Sequence, residues 1–124
     1  MDPSTALELA DMSLGICVGL AKKLIKLIKN YKHALDDVEL LEDSIEQASG
    51  TAEEFKRALD GLPQTAHIKV NKAFDRLNRL FGEVEGLLLV YAGKPLDRIM
   101  KIRWALFGKS DAESYKGKID RYGQ

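Results

Sequence analysis

Apolar residues recur along three long stretches at steps that alternate between three and four positions, the spacing of one stripe on an α-helix. In the first stretch they are Ala10, Leu14, Cys17, Ala21, Leu24, Ile28 and Tyr31. In the second they are Val38, Leu41, Ile45, Ala48, Ala52, Phe55, Leu59 and Leu62. In the third they are Ala66, Val70, Ala73, Leu77, Leu80, Val84, Leu87 and Tyr91, with Phe74, Phe81 and Leu88 flanking the stripe. Because no comparable stretch has the period-two alternation of a strand, the sequence predicts an all-helical protein.

Local signals predict where the first two helices begin and end. Asp2 can cap a first helix with Pro3 at its first position, and that helix should run to about Tyr31–His33. Asp36 and Asp37 mark the start of the second helix, since acidic residues favour a helix N-terminus. The second helix should stop before Pro63, because the residue before a proline is steered away from helical angles.

The remaining elements are predicted in the same way. The third helix follows Pro63 and closes near Gly93, and a shorter fourth helix runs from Pro95 to about Phe107. Ser110 and Glu113 match a capping box and predict a last helix. One face of that helix would carry Ala112, Tyr115, Ile119 and Tyr122.

One boundary is ambiguous at Ser49-Gly50-Thr51. Thr51 and Glu54 could cap a new helix there, but the apolar stripe stays in phase across the break. We therefore expect one continuous helix, at a cost of about 1 kcal/mol for glycine relative to alanine. Three helices of about 25 residues and a fourth element split into two shorter helices predict an antiparallel four-helix bundle.

Composition narrows the function classes. The chain has 124 residues, 45% of them hydrophobic and 31% charged, which suits a single soluble domain with one core. Lysine plus arginine number 19 and aspartate plus glutamate number 19, so no overall basic excess points to nucleic acid. No uninterrupted apolar run reaches the roughly 18 residues of a lone membrane span.

The zero net charge hides a separation along the chain. Residues 1–33 sum to +2, residues 34–62 to −7, residues 63–93 to +1 and residues 94–124 to +4. The simplest interpretation is that oppositely charged helices pack side by side. The acidic second helix could also mask lysines of the first.

The sequence carries no enzyme motif. It has no glycine-rich phosphate loop, no His-Glu-x-x-His and no spacing that would pair a nucleophile with a base, so we expect no enzyme and no cofactor. A single cysteine and two histidines argue against a Cys/His metal site. We expect His33 and His67 to be ordinary, partly exposed residues and Cys17 to be a small core residue.

The first helix is the most informative segment. Residues 12–21 carry no charge and are apolar on every side, and Gly15 and Gly19 form a Gly-x-x-x-Gly pair. Small residues at this spacing let helix backbones approach closely, especially in lipid. A basic stretch suited to anionic headgroups follows, with Lys22, Lys23, Lys26, Lys29 and Lys32. The competing interpretation is a central bundle helix whose small side chains make room for bulky neighbours.

The length and flanks of this segment limit how it could meet a membrane. Ten helical residues span about 15 Å, half of the roughly 30 Å hydrocarbon core. Glu8 and Asp11 also oppose simple insertion. Any membrane role would therefore need refolding, self-association or interfacial binding.

The two ends of the chain resemble a known family. Its opening, Met-Asp-Pro-Ser-Thr-Ala-Leu-Glu-Leu-Ala over residues 1–10, resembles the start of fungal HeLo-like domains. Its closing Arg-Trp-Ala-Leu-Phe-Gly-Lys over residues 103–109, followed by an amphipathic helix, is similar to that family's tail. These domains head NLR-type STAND receptors and amyloid-controlled cell-death proteins. They are related to the HET-S toxin domain and to the four-helix domain of the necroptotic pseudokinase.

The resemblance implies a membrane-targeting cell-death domain, autoinhibited as a helical bundle. It implies that residues 1–124 are the N-terminal domain of a longer protein, activated when a C-terminal amyloid motif or receptor module clusters it. The domain would be cytoplasmic at rest and would act at the plasma membrane, with anionic lipids and further copies of itself as partners and no nucleic acid.

The resemblance also assigns roles to residues. The membrane-active segment would comprise Leu14, Gly15, Ile16, Val18, Gly19 and Leu20. The lysines in contact with anionic lipid would be Lys22, Lys23, Lys26 and Lys29. Ser4 and Glu8 stand where the family pattern has apolar or small residues, so Glu8 is the acid expected to modulate insertion.

A second hypothesis needs no membrane. The chain could be a protein–protein signalling adaptor of an NLR-type receptor, with the acidic second helix of one molecule paired to the basic fourth element of another. A purely structural bundle is the third possibility and predicts neither behaviour.

Overall fold

The computed structural model describes residues 3–31, 38–90 and 108–121, and every element in these ranges is helical. Four α-helices are present: α1 is Pro3–Tyr31, α2 is Glu39–Ala58, α3 is Gln64–Leu89 and α4 is Lys109–Asp120. A 3₁₀ turn at Leu59–Gly61 follows α2. The all-helical prediction is confirmed for these ranges.

The predicted start of α1, the continuity of α2 and the predicted α2–α3 turn agree with the structure. Helix α1 begins at Pro3 and α2 continues without a break through Gly50, as the unbroken apolar stripe indicates. Leu62 takes extended angles, φ −89° and ψ 149°, immediately before Pro63. The α2–α3 turn is closed by main-chain N–H groups of Leu62 and Ala66, which donate to the carbonyls of Leu59 and Pro63.

The predicted cap of the last helix is wrong. Helix α4 begins at Lys109, one residue before Ser110, and Gly108 precedes it in helical conformation without a side-chain cap. Ser110 therefore lies inside the first turn, where a Ser-x-x-Glu pattern is equally compatible with an ordinary solvent-facing helix. Helix α3 ends at Leu89, short of the predicted Gly93. The caps at Asp2 and Asp36–Asp37 and the fourth helix of residues 95–107 lie outside the described residues.

The core is built around α1. Helix α1 packs against both α2 and α3, and α4 packs against α2 and α3. The largest fully enclosed side chains come from all four helices and from the residue that precedes α2. They are Leu14, Leu24, Ile28, Val38, Leu41, Ile45, Leu77, Phe81, Leu88 and Ile119.

Where the structure describes them, the predicted apolar stripes are confirmed with one exception and one shift. Tyr91 and Tyr122 lie outside the described residues. In α2 every stripe residue is buried or packed against the core except Phe55, which is 37% exposed and lies edge-on to Phe74 with ring centroids 5.8 Å apart. The buried residues of α3 are His67, Val70, Phe74, Leu77, Leu80, Phe81, Val84 and Leu88. The flanking aromatic residues, not Ala66 and Ala73, thus lie at the centre of the α3 face.

Candidate functional site

One side of α1 faces the hydrophobic core. Ala10, Leu14, Cys17, Ala21, Leu24 and Ile28 have no solvent exposure. Burial raises the pKa of the Cys17 thiol to about 12, so the group is a protonated thiol at neutral pH. The prediction that Cys17 is a core residue is confirmed.

The opposite side of α1 carries apolar residues in solvent. Met12 is 60% exposed, Ile16 is 47% exposed, Gly19 is exposed and Gly15 is half-buried. Their spacing of three and four positions places them next to one another on the helix surface. We call Met12, Gly15, Ile16 and Gly19 the outer patch of α1.

The glycines of the outer patch do not serve packing among the described helices. A Cβ atom added to Gly19 would meet nothing within 4 Å, and one added to Gly15 would meet only the Nζ of Lys56 at 3.6 Å. The small residues of α1 that are buried in the core include instead Ala10, Ser13, Cys17 and Ala21. The two glycines therefore lower the helix propensity of α1 without a close helix contact in return.

The segment assigned by the family resemblance is divided between the two sides of α1. Leu14 is fully buried, and Val18 and Leu20 are half-buried against the core. Only Gly15, Ile16 and Gly19 of the predicted segment belong to the outer patch. All six residues could meet lipid together only after α1 leaves α2 and α3.

The four lysines assigned to lipid contact are all exposed. Lys23 pairs with Glu85 of α3 at 3.1 Å, and Lys29 approaches Glu42 of α2 at 4.0 Å. Within the described ranges, Lys22 and Lys26 have no carboxylate within 4.0 Å. Glu8, the predicted modulating acid, is exposed at the other end of the outer patch.

Polar side chains connect α1 to α3 inside the otherwise apolar interface. The Ser13 hydroxyl donates to Oδ1 of Asn71 at 2.6 Å, and the Asn78 amide donates to the main-chain carbonyl of Ser13 at 3.0 Å. Asn78 Oδ1 is buried and accepts no hydrogen bond from the described residues. This contact was not predicted from the sequence, although two asparagines seven positions apart on one helix face were a usable signal.

The expectation for His67 is wrong. Its side chain is buried at the start of α3, and Nε2 lies 2.7 Å from the main-chain carbonyl of Leu59. That carbonyl can only accept, so Nε2 carries the proton and donates. His33 lies outside the described residues.

Length and composition make α1 a candidate membrane span. Residues Ser4–Asn30 contain an 18-residue window of mean hydropathy 1.3, of which 28% is buried. This window was not found in the sequence as an uninterrupted apolar run, because such a run excludes every charged residue. A core helix of a soluble protein passes the same test, so α1 satisfies both interpretations.

Comparison with known proteins gives no relative. No protein-family model, no curated protein and no solved structure matches the chain.

Proposed function

We propose that the chain is a HeLo-like, membrane-perturbing cell-death domain, held inactive in its folded state and acting through α1. The observation that carries the proposal is the outer patch of α1, an exposed apolar surface with two glycines that lies one turn before four exposed lysines. Exposed apolar residues followed by lysines favour an anionic membrane surface. A clustering signal from the rest of the protein would move the domain from the cytoplasm to the plasma membrane.

The finer architecture belongs to the same proposal: an antiparallel four-helix bundle whose fourth element is split in two. Inter-helix contacts support opposite directions for α1 and α2, since Lys29 lies by Glu42 while Gly15 lies by Lys56. They support a common direction for α1 and α3, since Ser13 contacts Asn71 and Lys23 contacts Glu85. An up–down–up order of this kind is usual in bundles with short connections.

Autoinhibition follows from the inner side of α1. Taking Leu14, Leu24 and Ile28 out of the core would cost roughly 5–9 kcal/mol, at about 1.5–3 kcal/mol for each side chain. That is comparable to the whole stability of a small domain, so α1 does not leave the folded chain spontaneously. Lipid hydrocarbon would accept the same side chains, which makes a membrane the natural environment for a released α1.

The glycine pair explains how released helices would act together. In lipid, helices associate by close packing instead of by the hydrophobic effect, and a Gly-x-x-x-Gly pair lets two backbones approach. Because Gly15 and Gly19 serve no packing role in the described fold, their use in contacts between copies of α1 accounts for them.

Vesicle leakage tests the proposal. The protein would be added to dye-loaded vesicles containing phosphatidylserine, alone and after clustering by a bivalent antibody against a C-terminal tag. We expect leakage from the clustered protein and a loss of at least tenfold in its rate for Gly15→Leu/Gly19→Leu. Leucine makes α1 more apolar, so weaker partitioning into lipid could not explain that loss.

The matched control is Gly50→Leu/Gly82→Leu on α2 and α3. Both positions are exposed, and a Cβ atom there also meets nothing within 4 Å. Circular dichroism should show all variants folded, and the control should leak within about twofold of the unmodified chain. Absence of both leakage and lipid binding from the clustered protein would refute the proposal, as would an equal loss in the two double variants.

A second candidate function is the adaptor that works through protein contacts alone. The observation that favours it is a row of exposed carboxylates on the outer face of α2: Glu39, Asp43, Glu46, Glu53 and Glu54. None of the five forms a side-chain ion pair within the described ranges. Two results together would favour the adaptor over the membrane domain. The Met12→Ser/Ile16→Ser variant would still self-associate in a salt-sensitive way, and the protein would cause no vesicle leakage.

A further inference from the structure

A second charged surface lies away from α1, in an open groove between α3 and α4. The groove has a volume of about 500 Å³. It is lined by Arg76, Arg79, Leu80, Glu83, Lys118 and Arg121. We call it the α3–α4 groove.

The charges of this groove are unbalanced. Among the residues that the structure describes, four cationic side chains and one carboxylate, that of Glu83, line it. Arg79 also pairs with Asp75 at 3.2 Å, but both side chains are more than half exposed, and an exposed pair on one helix holds an arginine only weakly. Within the described residues, Arg76 and Arg121 have no carboxylate within 4.0 Å.

Neighbouring residues hold the α4 side of the groove in place. The Lys118 ammonium lies 5.6 Å from the centre of the Tyr115 ring, a favourable cation–π distance. The Lys116 ammonium donates to Oδ2 of Asp120 at 2.7 Å and lowers the pKa of this carboxyl, which lies beside Arg121 in the sequence. Leu80, which is buried, closes the bottom of the groove with apolar surface.

We propose that the α3–α4 groove binds a polyphosphorylated anion. Guanidinium groups bind phosphate oxygens through paired hydrogen bonds, and the groove presents three of them around one concavity. A positive surplus of about three charges suits an anion with several phosphates better than a single carboxylate. The volume lies within the roughly 300–1,000 Å³ of small-molecule sites.

The anion could be a free polyphosphate or the phosphorylated headgroup of a lipid, because both present the same oxygens. The groove shares no residue with the outer patch of α1 or with its lysines. Anion binding in the α3–α4 groove can therefore be tested separately from the membrane function of α1.

Calorimetric titration with inorganic tripolyphosphate tests the site in the full chain. The groove variant is Arg76→Gln/Arg121→Gln, and the matched control is Lys69→Gln/Lys72→Gln, which removes the same charge from exposed positions of α3 outside the groove. At low salt we expect the groove variant to raise the Kd at least tenfold and the control to raise it less than twofold. Met12→Ser/Ile16→Ser should leave the Kd unchanged.

Vesicle sedimentation then separates the two sources of the anion. If vesicles with phosphorylated inositol lipid bind and the groove variant releases them, the headgroup is the ligand; if only tripolyphosphate binds, the ligand is a free anion. Equal weakening by both double variants would overturn the proposal, since binding would then follow net charge. So would an absence of binding at millimolar tripolyphosphate, or a groove variant that changes self-association without changing the Kd.

Discussion

The imidazole of His67 joins the end of α2 to the start of α3. Its Nε2–H and the main-chain N–H of Leu62 both donate to the carbonyl of Leu59, while Nδ1 is buried without a partner among the described residues. We expect His67→Ala to lower the free energy of unfolding by about 1–3 kcal/mol, through the lost hydrogen bond and the space left in the turn. Urea denaturation measures this.

The control for His67 is Lys69→Ala, an exposed position two residues further along α3, which should change the stability by no more than about 0.5 kcal/mol. Equal effects of the two variants would show that the His67 hydrogen bond contributes nothing. The comparison needs only the folded chain and no ligand.

His67 also shows why the core of α3 was only partly predictable. Two stripes fit the spacing of α3 and share Val70, Leu77 and Val84. The stripe that begins at Ala66 was predicted as the centre of the face, with Phe74, Phe81 and Leu88 widening it. The structure buries these three flanking residues and His67. Leu80 of the predicted stripe is also buried, whereas Ala66 and Ala73 are half-buried. Periodicity alone cannot separate two stripes that are one residue apart; the larger side chains decide, because they bury more apolar area.

At the scale of elements, the inner side of α1 was predicted correctly, whereas the role of its outer side stays a prediction. By spacing alone, two sets of small residues fit a close approach between helices equally well. One set is Ala10, Cys17 and Ala21, and the other is Gly15 and Gly19. Only the positions of α2 and α3 show which set faces another helix. The Ser110 cap was wrong for a similar reason, since a four-residue polar pattern occurs both at helix starts and inside first turns.

The outer glycines of α1 lead to a stability prediction. Gly15→Ala and Gly19→Ala should each raise the free energy of unfolding by up to about 1 kcal/mol, because alanine favours the helix and its Cβ meets no close neighbour. Thermal denaturation would detect the increase, and Gly82→Ala on α3 should give a rise of the same size. A fall at Gly15 or Gly19 together with a rise at Gly82 would contradict the placement of these glycines on an open surface.

At the scale of the whole molecule, the equal numbers of acidic and basic residues conceal separate charged surfaces. Masking of the lysines of α1 by the acids of residues 34–62 was one possibility that the sequence left open. Among the described acids of this segment, Glu42 alone approaches one of these lysines, Lys29, while Lys23 pairs with Glu85 of α3. The charge sums along the chain were therefore informative, but the identity of the pairs depended on how the helices pack.

Releasing these two lysines should strengthen membrane binding. We expect Glu42→Gln/Glu85→Gln to bind phosphatidylserine vesicles at least about threefold more tightly than Glu53→Gln/Glu54→Gln, because only the first double variant frees lysines of α1. Both variants remove the same charge, and vesicle sedimentation measures the difference. Identical gains would mean that binding responds to net charge and not to these ion pairs.

The reactivity of the Cys17 thiol can report the separation of α1 from α2 and α3. It is the single cysteine, it lies on the inner side of α1 without solvent exposure, and burial keeps its thiol protonated. A thiol reagent reaches it only when α1 separates from α2 and α3, so the labelling rate follows that separation directly. The movement on which the proposed autoinhibition depends can thus be timed in the unmodified protein, without an attached fluorophore and without a membrane.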